Sequence, residues 1–270
     1  MTTPTSDLVV RSSSAPSRVG SRHRIFGTTV AIWVVAVGLL LMRDPGLIAV
    51  AGSFAIGWSH LAGRCGQSHF GALTPRAKLP GQRTAWLANV VVYVSAGAVA
   101  SIAVGLALGL LGLVLVPAGL RGASLVLVVL LAAFAAAGDL GVIRWRLPQP
   151  KRQTRREWGF MFRPPIPAVL WGLGLGVTGA TVFTFSGTWL VLTLPVALAE
   201  PAFGAAMLFA HWLGRAAPIL AGPVLLPGAA QTLDVLDDIE RASAVFRASN
   251  VAGIALIALS VLVLITGMIG

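Results

Sequence analysis

Arg215 is the residue in this chain whose setting most demands a chemical explanation. It lies in the apolar run Phe203 to Leu226, with His211 four positions earlier and therefore on the same helical face. A charge at that depth costs at least ~2.5–3.5 kcal/mol on insertion scales, so it must face a bundle interior or a wet cavity. Pro218 and Pro223 follow and withdraw backbone donors, which leaves carbonyls free for a ligand or for water. Two readings compete. Arg215 and His211 either form a polar site inside the membrane, or Arg215 is a structural tie bonded to carbonyls or to Asp139.

Other reactive or polar side chains gather in three places. Thr181, Thr184, Ser186 and Thr188 put four hydroxyls into an otherwise apolar stretch, where they either line a path or bond back to their own helix. Just before them, Trp171 to Gly179 carries Gly172, Gly176 and Ala180 at every fourth position, the spacing of a close-packing helix face. The formal G-x-G pattern there is no dinucleotide fingerprint, because no strand precedes it and no acidic residue follows ~20 positions on. Cys65 is the single cysteine. No internal disulfide is therefore possible, and with His60 and His69 at irregular spacing the thiol reads as a free cysteine rather than a metal ligand. Asp234, Asp237, Asp238 and Glu240 read as a solvated acidic loop or helix start. No Ser/His/Asp set and no pair of carboxylates at membrane depth suggests an enzyme, and no cofactor or metal site is expected.

The elements that position these residues follow from composition. Of 270 residues, 56% are hydrophobic and 11% charged, against the roughly 25% charged that a water-facing domain carries. The net charge of +11 invites a nucleic-acid partner, but the basic residues fall in the gaps between apolar runs, which is a membrane-topology signature. Residues 1–22 read as a disordered cytoplasmic tail and 23–270 as one transmembrane domain. Its spans are expected at about 25–42, 47–61, 85–116, 124–143, 166–198, 203–226 and 251–269. The fold class is all-α, a polytopic membrane bundle of about seven transmembrane helices. Two runs, 85–116 and 166–198, exceed one span and must tilt or break. The central loop 144–163 carries seven Lys or Arg against one Glu.

With the N-terminus cytoplasmic, seventeen of the twenty Lys and Arg residues lie inside, Arg43 and Arg121 outside, and Arg215 in the membrane. That asymmetry places the chain in the cell membrane, the inner or cytoplasmic membrane, with its C-terminus outside. Setting aside the first helix, the basic loop divides the other six into two triplets of opposite direction, the parity of a 3+3 inverted repeat.

Arg146-Leu-Pro-Gln-Pro150, Trp171-Gly-Leu-Gly-Leu-Gly176 and Leu213-Gly-Arg-Ala-Ala-Pro218 resemble the DsbD/CcdA-like integral membrane family, in particular the branch of methylamine utilisation protein F. The resemblance spans about residues 47–226. It implies a six-helix inverted-repeat core. It also implies a pair of membrane cysteines, one per repeat, and here the chain departs from the family: Thr184-Phe185-Ser186 stands where the second cysteine is expected. The thiol relay is therefore not carried over.

These readings lead to a transporter-like protein moving a small solute or ion, with Arg215, His211, Thr181, Thr184, Ser186 and Asp139 along its path. The alternative is an assembly or maturation factor for an exported partner protein, as in cytochrome c biogenesis or methylamine utilisation. A weaker option is a redox accessory using Cys65. The lipid bilayer is the expected partner, and nucleic acid is not.

Overall fold

The structure is a computed structural model that describes residue 25 and residues 27–30, 44–144, 147–155 and 157–269. The expected tail, most of the first expected span, and Arg146 and Arg156 of the central loop lie outside the described residues. Among the described residues the secondary structure is helical, with no strand. Among the described residues the α-helices of ten residues or more are α1 (Pro45–Ser59), α2 (Arg64–Leu73), α3 (Arg83–Leu115), α4 (Arg121–Asp139), α5 (Ile166–Gly176), α6 (Thr188–Leu198), α7 (Pro201–Leu220), α8 (Thr232–Arg241) and α9 (Ser243–Ile269).

Local chemistry sets the boundaries. Asp44 Oδ1 accepts from Leu47 N at 3.1 Å, capping α1 with Pro45 in the first turn. α1 then tightens into a 3₁₀ turn, His60–Ala62, and stops at Gly63, whose extended backbone (φ −88°, ψ 153°) precedes α2. Ala199 closes α6 in the left-handed region at φ 55°, and Pro201 opens α7 at once.

Four stretches are long and apolar enough to cross a bilayer: Pro45–Ala62, Arg83–Leu115, Ala118–Asp139 and Ser243–Met268. The run expected at 85–116 is one uninterrupted helix of 33 residues, ~50 Å long at 1.5 Å per residue. Its glycines do not break it, because they are used for packing. A Cβ at Gly105 would lie 2.2 Å from Gly204 O, and one at Gly97 would lie 2.1 Å from the Trp212 ring. The run expected as a span at 166–198 is instead two 11-residue helices, α5 and α6, joined by the irregular segment 177–187. Each is ~16 Å long and too short to cross alone. The break falls where Gly179 takes a φ of +92°, so Ala180 sits in the break and only Gly172 and Gly176 lie on the close-packing face. The acidic segment is the helix α8, which buries Val235 and Ile239 and exposes Asp234, Asp237 and Glu240.

The outer surface is apolar, while the interior holds large apolar side chains such as Trp58, Trp212 and Phe246 together with buried polar ones. Val99, Val114 and Leu127 are 67%, 81% and 66% exposed, while Ser53, Ser101, Asn250 and Ser260 are buried. Water disfavours so apolar an outer surface; hydrocarbon accepts it. The described residues thus form an all-helical bundle of membrane-protein character, with four helical stretches long and apolar enough to cross a bilayer. α1 runs antiparallel to α9, with Gly52 against Gly253 and Ser260 Oγ donating to Pro45 O. It runs parallel to α7, with Ser53 Oγ donating to Met207 O and Gly57 against His211 O. α3 is antiparallel to α7 and parallel to α5, where Gly172 and Gly176 meet Tyr93 O and Gly97 O. α4 is antiparallel to α6, with Ser124 Oγ donating to Ala197 O. Arg64, Arg76, Lys78, Arg83, Arg152, Arg155, Arg163 and Arg247 gather at one end of the bundle. Asp44, Arg121 and Glu200 stand at the other.

The close crossings set a stability test. Gly105→Leu is expected to cost about 2–3 kcal/mol through overpacking against α7, read as a lower unfolding temperature in detergent. Gly122→Ala, where a Cβ meets nothing within 4 Å, is expected to change stability by about 1 kcal/mol or less.

Candidate functional site

The two interruptions meet. A Cβ on Gly63, at the end of the first break, would lie 2.0 Å from Thr184 Oγ1 and 3.4 Å from Thr184 Cβ in the second. Only glycine lets the backbones come this close. The hydroxyl of Thr188, at the start of α6, lies 3.1 Å from His60 Nε2, at the end of α1. The breaks in the 45–73 and 166–198 segments are therefore bonded to each other.

Beside this junction is a cavity of about 280 Å³ lined by His60, Gly63, Arg64, Cys65, Gly66, Gln149, Gln153, Phe183, Thr184 and Arg215, among others. The central loop, expected as a solvent-exposed connection, enters the bundle here. Arg152 O accepts from Val182 N at 2.8 Å, and Arg155 O accepts from Trp171 Nε1 at 3.0 Å. Thr154 Oγ1 lies 3.2 Å from His69 Nε2. The loop thereby supplies partners that the irregular segment 177–187 lacks.

Arg215 projects into this region from the C-terminal half of α7, five residues before its end at Leu220. Its Nη1 donates to Leu175 O at 3.2 Å, in the last turn of α5, where unpaired carbonyls and the helix dipole favour a cation. Among the described residues it has no carboxylate within salt-bridge distance. On its other side, a void of about 10 Å³ lined by Tyr93, Leu175 and Pro218 has room for about one water. Pro218 is accommodated inside α7 without ending it.

Of the two tie partners weighed for Arg215, a carbonyl or Asp139, the structure shows the carbonyl of Leu175, and Asp139 is engaged elsewhere. Its carboxylate accepts from Ser186 N at 2.8 Å, Ser186 Oγ at 3.1 Å and Asn250 Nδ2 at 2.8 Å. It sits at the start of α6, where the positive helix end favours an anion, and ties α4, α6 and α9 together.

The expected path residues are therefore split between different places. Arg215 and Thr184 line the cavity. His211 is fully buried one layer behind, with its ring 5.2 Å from that of His60 and perpendicular to it, and its Nδ1 3.4 Å from Ser53 O. Ser186 and Asp139 form the bonded cluster, and Thr181 is buried with its hydroxyl unpartnered. Cys65, 8% exposed, lines the cavity. Gln149, Gln153 and the role of His60 had no signal in the sequence, since only the fold brings them to Arg215. Among the described residues no cluster of three His, Cys, Asp or Glu could hold a metal ion. No family model, characterised protein or solved structure matches the chain.

Asp139→Asn keeps one carbonyl oxygen but replaces the other by an NH2 group and removes the charge that strengthens the bonds from Ser186 N, Ser186 Oγ and Asn250 Nδ2. Asp139→Asn is expected to lower stability by about 2 kcal/mol and Ser186→Ala by about 1 kcal/mol, measured by thermal unfolding. Amide exchange at 186–190 should rise in both.

Proposed function

We propose that this chain is a transporter-like protein of the cytoplasmic membrane that moves a small solute or ion past the junction of two interrupted helices. The observation that carries the reading is the contact between the breaks at 60–63 and 177–187, with an arginine-lined cavity beside them. Irregular backbone at membrane depth is tolerated where it is buried in protein or lines a water-filled space. Two such segments meeting at one cavity are suited to a site that opens alternately to either side.

The helix pairing supports a 3+3 inverted repeat. Exchange α1 with the α5–α6 pair, α3 with α7, and α4 with α9. The antiparallel contact α1–α9 then maps onto α6–α4, and the parallel contact α1–α7 maps onto α5–α3. The α3–α7 contact maps onto itself. With the span expected at 25–42, most of which lies outside the described residues, the chain would cross seven times, and the clustering of basic residues supports an N-terminus inside and a C-terminus outside. The repeat is also what the resemblance to DsbD/CcdA-like proteins implies, and we carry that resemblance forward as part of the proposal. The relay of that family needs two thiols; here Thr184 faces the first break instead of a second cysteine.

In sealed proteoliposomes screened against small solutes and ions, Arg215→Ala is expected to lower flux at least tenfold, with Arg215→Lys intermediate. Unchanged flux in Arg215→Ala would remove translocation from this site. Absence of any flux in the wild-type chain would favour the assembly role for an exported partner.

A further inference from the structure

The cavity beside the helix junction has a chemistry that selects among solutes. We infer that it binds a small oxyanion, and that this is the solute class of the site proposed above. Among the described residues that line it, Arg215 and Arg64 carry formal charges and none is a carboxylate. Arg215 spends one bond on Leu175 O, and a guanidinium has five N–H donors in a planar fork that matches a carboxylate, sulfate or phosphate edge. Asp139, at the end of α4 and bonded to the second break, is committed to Ser186 and Asn250.

Two further observations point the same way. His60 is 4% exposed, lines the cavity, and its Nδ1 has no hydrogen-bond partner. Thr188 Oγ1 bonds to Nε2, and in the tautomer in which Thr188 donates, Nδ1 carries the hydrogen and can serve as a donor. The cavity wall from Gly63 to Gly66 is the first turn of the ten-residue helix α2, whose N-cap is glycine with no side-chain cap. Its leading N–H groups and positive dipole end therefore have no carboxylate or hydroxyl to answer them, the arrangement that holds anions at helix N-termini. The amides of Gln149 and Gln153 complete a wall rich in donors. A cation would find no anionic ligand here, and a purely apolar solute would strand the guanidinium. At about 280 Å³ the space suits an anion of a few heavy atoms with some of its water.

Cys65 provides a reporter, because it is the single cysteine of the chain and lines this cavity. The native protein in detergent or proteoliposomes at low ionic strength would be treated with anionic sulfonatoethyl and cationic trimethylammonioethyl methanethiosulfonate. Rates would be read by mass spectrometry and normalised to those of a small free thiol. The expected result is that the anionic reagent reacts about tenfold faster, that sulfate slows it, and that the preference collapses in Arg215→Gln but survives in Arg215→Lys. Equal or cation-favouring rates, no reaction with either reagent, or no protection by sulfate would overturn the inference. Anion-selective labelling without flux would keep the anion site and remove the transport reading. Cation flux with unselective labelling would do the reverse.

Discussion

Within a bilayer no water waits to satisfy a peptide group, so any residue that leaves the helical ladder must find its partners inside the protein. That requirement organises this bundle. The chain leaves the ladder at 60–63 and again at 177–187, and neither segment stands alone. His60 reaches Thr188, Asp139 receives Ser186, Arg215 covers the end of α5, and the backbone of the central loop accepts from Val182. His60 with Thr188 and Asp139 with Ser186 join the breaks across the two halves, Arg215 closes α5 from within its own half, and the loop between the halves completes Val182. The polar junction is thus a consequence of interrupting two helices, and the cavity is the space left where their ends do not fill the volume between them.

The glycines make that junction reachable. Without a hydrophobic drive between helices already in lipid, association depends on close packing and internal hydrogen bonds. Gly57 and Gly214 bring α1 against α7, Gly105 and Gly204 bring α3 against α7, and Gly63 brings the first break onto Thr184. Backbones at these separations hold the ends of α1, α5 and α6 in register, so Arg215 reaches a carbonyl that belongs to another helix.

Much of this was legible in the amino acids. Apolar runs and the gaps holding arginines report the membrane directly, since partition of side chains is a local property. The over-long run 166–198 announced an interruption, because hydroxyls and glycines crowded where hydrocarbon thickness ran out. The same criterion left 85–116 open, and its glycines turned out to pack: sequence alone does not tell a flexible glycine from one pressed against a neighbour. Asp139 and Arg215 were natural partners by charge alone. Their separation depends on which helix end each one meets, and that is set by three-dimensional packing. His60, Gln149 and Gln153 come from segments distant from Arg215 in the chain, and nothing in their spacing marks them. Periodicity could have identified α8, where Val235 and Ile239 recur four apart.

The central claim is that the two interruptions abut inside the bundle. A Cβ at Gly63 would stand 3.4 Å from Thr184 Cβ, near the ~3.5–4.5 Å at which a disulfide closes. In a Cys65→Ser background, Gly63→Cys with Thr184→Cys should therefore form an intramolecular disulfide under mild oxidation in native membranes, seen by mass spectrometry of the digested chain. A well-folded double-cysteine protein whose thiols both stay free under those conditions would contradict the account.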